Sequence, residues 1–391
     1  MRPTSITDAL LSSSVAVAQQ IAQDPGVRGP PLEITHLYDD QMPTGIAVSE
    51  SGRLFSNYPS GLDANNTRYQ VAELTTNNTE TPYPNAEINS PPGGAINYTT
   101  YPPTPMDLGY RPSTNSNGTL VPASYGGPKL VAVDLATNTI NQTIALPTTV
   151  AYPDSYINDV RIDLRPNVTA SGQGVAYITD SSQQPRNGII IVDLGTKEAW
   201  RHLDGTAFVS AEKQHLTYVW GEEVYFVPGP GEPFTFDPTG ADGIALLDGG
   251  DTIVWSIAGG RQLYSIANQY LLNRGQNSEV EAQANVMSLG QKGQSDGLMQ
   301  DTNQYVYAGN SEQNAINIFN ARNSTVTTYV RNPRIGWTDS LWISNQTLYF
   351  IENQLWRGKG YYPGTDRRVK PYVLYRVPTA DGGSRVSPME I

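Results

Sequence analysis

A short phrase returns along this chain and restricts its fold more than any other feature: a small residue, then Asp, then Gly or an apolar residue opening a hydrophobic run. It reads INDVRIDL at Asn158-Asp159, ADGIALL at Ala241-Asp242, SDGLM at Ser295-Asp296 and TDSLW at Thr338-Asp339, with PTGIAV at Pro43-Thr44 as a worn copy. From Asp159 onward the copies are 83, 54 and 43 residues apart, and the 115 residues between Thr44 and Asp159 leave room for two units. A β-rich unit of about 40 to 60 residues cannot bury both faces of its sheet alone, so such units stack around an axis. The expectation is an all-β chain, a six-bladed β-propeller of four-stranded antiparallel blades.

Regular repeats outrank the two or three domains that 391 residues would otherwise suggest, so residues 31–391 are read as one closed propeller. Residues 1–30 form a leader. Its start, MRPTSITDALLSSSVAVAQQ, has the Arg, short apolar stretch and small residues of a signal peptide, and reads equally as a helix capped near Thr7-Asp8. KLVAVDLATNTINQTIALP is a clean hairpin, and INDVRIDL, GVAYITDSS, GIIIVDLG and EAWRHLD supply the four strands of one blade. Residues 60–128 are the least regular part, where the second blade is expected. The helical-looking segment 268–286 reads as a crossing between blades. The last blade, TDSLWIS, TLYFIENQLWR and PYVLYRVP, is one strand short. An N-terminal strand, LEITHLY or LFSNYP, is expected to complete it, because sealing both chain ends in one sheet leaves no open edge.

The formal charge is −12 and the basic residues are scattered, which disfavours a nucleic-acid partner. No apolar run approaches the roughly 20 residues that span a bilayer. The chain has no cysteine, so disulfides, thiolate nucleophiles and Cys-based metal sites are excluded. Eight sequons, at Asn65, Asn77, Asn97, Asn117, Asn141, Asn167, Asn323 and Asn345, point to a glycosylated protein in the secretory lumen or outside the cell.

In a propeller, the loop entering each innermost strand and the loop after the second strand open on one face around the central channel. The first set is Thr44, Asp159, Asp242, Asp296 and Asp339, and the second is Asn57, Asp180, Asn310 and Glu352-Asn353. Carboxylates and amides around a pit walled by Phe236, Trp337, Tyr156 and Met42 would suit a small hydrophobic or aromatic ligand. An Asp repeated in every blade also serves as a turn cap, so the non-repeated Trp337, Phe236, Arg334, Lys292, Tyr156 and Glu352 are the sharper candidates.

Three other patterns weigh less. GQSDG at Gly293 to Gly297 matches the nucleophile elbow, yet sister blades place Ala241, Thr338 and Asn158 where it has Ser295. Asn158, Asp159, Asp242 and Glu352 offer oxygen ligands to Ca²⁺, as in propeller lactonases, but the reading adopted assigns no metal and no cofactor. GKGYYPGTDRR, from Gly358 to Arg368, lacks the Lys-Ser/Thr ending of a phosphate cradle.

YINDVRIDL with GVAYITDSS, GIIIVDLGTKEAWRHL, SDGLMQDTNQYVYAGNSEQNAI, and DSLW with LYFIENQLWR resemble the major royal jelly protein and Yellow family in its fungal branch, over about residues 30–378. The resemblance implies a secreted six-bladed propeller. It further implies dopachrome-converting enzymes, carriers of amines and sterols, or cofactor-free hetero-Diels-Alderases that join a tropolone quinone methide to a terpene. The second blade departs from the family in its Pro- and Asn-rich stretch near 90–125. On the cyclase reading, Arg334 or Lys292 would polarise the quinone methide oxygen and Asp296 would shuttle a proton. Trp337, Phe236, Tyr156 and Met42 would shape the pocket beside Asp159, Asp242, Asp339, Asn310 and Glu352. Binding of an aromatic amine or terpenoid without chemistry, and dopachrome-type tautomerisation, are the alternatives.

Overall fold

The computed structural model describes residues 26–386 apart from 60, 61, 64, 90–112, 115–119, 122–127, 153, 154, 183–185 and 230. Residues 1–25 of the leader, the sequons Asn97 and Asn117, and most of the stretch expected to form the second blade lie outside the described residues.

Five four-stranded antiparallel sheets follow one another around an axis. The first blade comprises Gly45–Val48, Leu54–Asn57, Val71–Leu74 and Glu80–Pro82, and the third Ile157–Asp163, Val175–Asp180, Gly188–Asp193 and Ala199–His202. The fourth runs through Ala241–Leu247, Thr252–Ile257, Gln262–Ala267 and Met287–Gln291, and the fifth through Leu298–Gln300, Tyr305–Asn310, Ala315–Asn320 and Thr325–Arg331. The last joins Thr338–Ser344, Thr347–Glu352 and Tyr372–Pro378 to Glu33–Tyr38. Glu33–Tyr38 pairs antiparallel with Tyr372–Pro378, so LEITHLY is the closing strand, while Leu54–Asn57 belongs to the first blade.

The hairpin Lys129–Asp134 with Thr139–Ala145 occupies the slot between the first and third blades. Arg53 of the first blade donates to the Leu135 carbonyl, and Gln142 of the hairpin donates to the Leu194 carbonyl behind the third. Leu130 and Ile144 pack in one cluster with Ala176, Ile178, Ile190 and Val192. This hairpin stands where the second blade is required.

The strand GIIIVD at Gly188–Asp193 shows why the runs read as continuously apolar: it is buried on both faces. Ile190 and Val192 face the hairpin side, whereas Ile189 and Ile191 face Ile244 and Trp255 of the next blade. The same layering recurs between the fourth and fifth, fifth and sixth, and sixth and first blades. Each interface is a slab of alternate residues from two sheets, and each fully buried Ile or Leu in it contributes about 1.5–3 kcal/mol.

Two expectations are corrected. The segment 268–286 does not cross between blades: helices Asn268–Leu272 and Ser278–Ala284 join the third and fourth strands of the fourth blade, whose outer strand, Met287–Gln291, the sequence did not signal. That strand is mostly exposed and carries Ser288, Gly290 and Gln291, so it lacks an apolar alternation. Residues 71–82, placed in the irregular second-blade region, instead complete the first blade.

The repeated phrase is a β-bulge. Register shifts fall between Ile157 and Val160, between Ala241 and Ile244, and between Thr338 and Leu341, at the Asp of each copy. A bulge twists the strand and re-aims a side chain, and here it turns the Asp toward the axis. The following Gly answers close packing between neighbouring blades. A Cβ on Gly243 would lie 2.4 Å from the carbonyl oxygen of Asp296, and one on Gly297 would lie 2.4 Å from that of Asp339. Each Asp-Gly thus seats against the backbone of the next blade's Asp.

Candidate functional site

The innermost strands of the described blades meet around a pocket of about 330 Å³ on the propeller axis. Asp159, Asp242, Asp296 and Asp339 line it together with Tyr156, Trp337, Trp342, Phe55, Tyr361 and Arg161. Three bulged strands and the segment leading into Leu298–Gln300 bring one carboxyl each to the same place.

These carboxyls are held individually. Asn158 donates to Asp242 Oδ1 at 2.8 Å, the Trp337 indole Nε1 donates to Asp296 Oδ2 at 2.6 Å, and Asn353 Nδ2 donates to Asp339 Oδ2. The charge of Asp296 acts on Asp242 across the pocket and favours its protonated form. Burial is the first cause raising all four above the ordinary carboxylate range, and repulsion from neighbouring carboxylates adds to it at Asp242, Asp296 and Asp339. Asp296 is pushed up to about 7 although the Trp337 hydrogen bond opposes the rise. Asp242 and Asp339 lie well above the ordinary value, burial coming first and the charge of Asp296 next. Asp159 is raised by burial, partly offset by Arg161. Burial thus shifts the ring toward its neutral acid forms, which can donate hydrogen bonds.

Of the residues expected from sequence, Asp159, Asp242, Asp296, Asp339, Trp337 and Tyr156 lie on this pocket, as do Thr44, Asn57 and Asn158. The others lie elsewhere. Lys292 is buried behind Ser295, to which its Nζ donates at 2.5 Å, and burial brings its ammonium down to about 7. Glu352 is buried and accepts from the Gly336 amide and the Thr338 hydroxyl; burial lifts it to about 8. Asn310 is buried beside Gln313, to which it donates at 3.2 Å. Asp180 accepts from Ser155 and the Tyr156 amide and pairs with Arg201, which makes it a structural anchor for Tyr156.

Met42 is fully buried between the first and last blades. Its thioether lies against the Arg368 guanidinium, which pairs with Asp63. Arg334 is exposed on the Asn332–Ile335 turn, off the pocket. Phe236 sits in a neighbouring depression of about 430 Å³ with Phe226, Pro228 and Lys213, and Asp237 lines both cavities.

Sequence reasoning missed Arg161, Trp342, Phe55 and Tyr361. Arg161 stands two residues after Asp159 on the innermost strand, so period-two alternation would have placed both on the channel side. Tyr361 comes from the GKGYYPGTDRR loop, whose wall-forming role has no local signature. Among the described residues, no three His, Cys, Asp or Glu side chains are grouped so as to hold a metal ion, and no helix is long and apolar enough to cross a membrane. The described sequon asparagines, Asn65, Asn77, Asn141, Asn167, Asn323 and Asn345, are all exposed.

Fold and pocket together define a β-propeller with an acid-ringed, aromatic-walled axial cavity. A profile of the major royal jelly protein family matches residues 114–385, and the chain belongs to that family. No curated protein matches the chain. Among solved structures it is similar to a luciferin-regenerating enzyme, with a TM-score of 0.52 and 10% identity over 91% of this chain and 97% of that one. It is also similar to regucalcin, a calcium-binding protein from Agrobacterium tumefaciens, with a TM-score of 0.46 and 9% identity over 89% of this chain and 92% of that one. The first likeness supports the propeller fold and nothing finer.

Proposed function

We propose that this protein is a cofactor-free cyclase that joins a quinone methide of tropolone type to a terpene alkene by a hetero-Diels-Alder reaction in the axial pocket. The reaction forms one C–C and one C–O bond from a C=C–C=O heterodiene and a C=C partner. All atoms are retained, the π electrons redistribute, and no electrons are exchanged with a third reactant. Such a step needs apolar partners held close and the heterodiene oxygen polarised. The observation that carries the reading is Asp296: a carboxyl lifted to about 7, fixed between the Trp337 indole and the Asp242 carboxyl at the edge of an aromatic cavity. As a neutral acid it can donate to the heterodiene oxygen, a role that its position suits better than those of Arg334 and Lys292. Trp337, Trp342, Tyr156 and Phe55 offer faces for stacking.

The test is chiral chromatography of adducts formed from an ortho-quinone methide precursor and an electron-rich alkene. The reading expects one enriched stereoisomer with the protein and loss of the enrichment in Asp296→Ala; a racemic adduct formed at the background rate would refute it.

The same acid also suits dopachrome-type tautomerisation, because a group titrating near neutral pH can give and take protons. The tautomerase moves carbon-bound protons to oxygen, so a substrate deuterated at those carbons loses its label to water, whereas the cycloaddition keeps every C–D bond. Glycosylation in the secretory pathway is part of the proposal, supported by the exposed sequons.

A further inference from the structure

Arg161 is the one cation on the wall of the axial pocket among the described residues. Its guanidinium is fixed by two backbone carbonyls: Nη1 donates to Val160 at 2.8 Å and Nη2 to Leu298 at 2.5 Å. Its Nε is buried and has no partner, and no carboxylate pairs with the side chain within 4.0 Å among the described residues. A guanidinium held rigidly with unspent donors is costly unless something arrives to accept them.

A second arginine stands behind it. The C-terminal segment docks on the end of the fifth blade's innermost strand: Asp301 bridges Arg385, and the Thr302 amide donates to the Ser384 carbonyl at 2.8 Å. This lays the Arg385 guanidinium over Trp342, a wall of the pocket, 5.3 Å from the ring centroid. Burial lowers Arg161 below its ordinary value; the charge of Asp159 opposes that, and the charge of Arg385 adds to it. Asp159 is the ring member whose charge acts on Arg161, while burial favours the neutral forms of Asp242 and Asp339. The net electrostatic character of the pocket is thus positive at the Arg161 end, although the whole chain carries −12.

We propose that Arg161, backed by Arg385, is an anion subsite, and that the pocket takes an aromatic ligand bearing an ionised oxygen group, in the simplest case a carboxylate. The ring would stack between Trp342 and Trp337 while the oxygens accept from the free guanidinium donors. This rests on the reading that the axial pocket binds the substrate, and it argues against a cationic amine as the ligand.

Isothermal titration of the full chain at pH 7 and low salt with 2-naphthylacetate, 2-naphthylethanol and 2-naphthylethylamine tests it. The acetate is expected to bind about tenfold more tightly than the alcohol, as one buried charge-assisted contact allows, and the amine more weakly than either. Arg161→Gln should erase the acetate preference, and Arg385→Gln, which leaves the backbone bridge to Asp301 in place, should reduce it. Arg161→Lys should restore part of it, which separates lost charge from a lost fold. Equal or tighter binding of the amine, or an acetate preference that persists in folded Arg161→Gln, overturns the subsite while leaving the pocket reading intact. Failure of all three probes to bind overturns both.

Discussion

The indole Nε1 of Trp337 donates to Asp296 Oδ2 at 2.6 Å, tying the residue before one repeated Asp phrase to the Asp of the preceding blade. Because this bond favours the charged carboxylate, it restrains a titration that burial drives upward to about 7. Trp337→Phe should retain most of the wall and remove the donor. The Asp296 midpoint is then expected to rise further, read by carboxyl ¹³C chemical shifts; a fall would contradict the assignment.

The raised acids also make stability depend on pH. A carboxyl whose folded value exceeds its unfolded value near 4 contributes fully below pH 4, and that contribution is lost as pH rises through the folded value, here about 7 for Asp296 and about 8 for Glu352. Lys292, lowered to about 7, acts in the opposite sense, chiefly above pH 7. Asp296→Asn is neutral at every pH and keeps an acceptor for Trp337. Relative to wild type it should gain about 2 kcal/mol, or about 2–3 °C in Tm, between pH 5 and pH 7. Parallel Tm curves would contradict this.

Gly243 packs against three backbone atoms of the next blade, Asp296 O at 2.4 Å, Leu298 N at 2.7 Å and Gly297 C at 2.8 Å from a built Cβ. Gly243→Ala should cost about 2–4 kcal/mol, since the obstacle is main chain that cannot rotate away. Gly360, with nothing within 4 Å, is the control and should tolerate Ala. Denaturant midpoints of the two variants decide the point.

Removing residues 1–38 takes away the strand paired with Tyr372–Pro378 and leaves that edge open. Such a chain is expected to aggregate and to unfold at a Tm lower by about 10 °C or more. A monomeric truncation of unchanged Tm would show that the ring does not depend on this closure.

The sequence carried the fold at the places where local and global demands coincide. Asp242-Gly243 is readable because a bulge and a tight interblade contact both constrain it, and Asp296-Gly297 because it makes the same contact. The all-buried strands at 175–180 and 188–193 are readable because both of their faces meet other sheets. Phe236 and Arg334 were misleading for a shared reason. Each stands within six residues of a repeated Asp, yet the hairpin Thr217–Val219 with Glu222–Val224 and the turn before Ile335 redirect the chain, and no periodicity reports where a loop points its side chains. Trp342 was hidden because the bulge at Asp339 shifts the inward and outward alternation downstream.

The account depends most on neutral carboxylic acids persisting in the axial pocket at physiological pH. Infrared difference spectroscopy between wild type and Asp296→Asn at pH 6 tests this directly through the C=O stretch of a protonated carboxyl. The band should be present in wild type and diminished in the variant. A wild-type spectrum showing only ionised carboxylates above pH 5 would contradict the account.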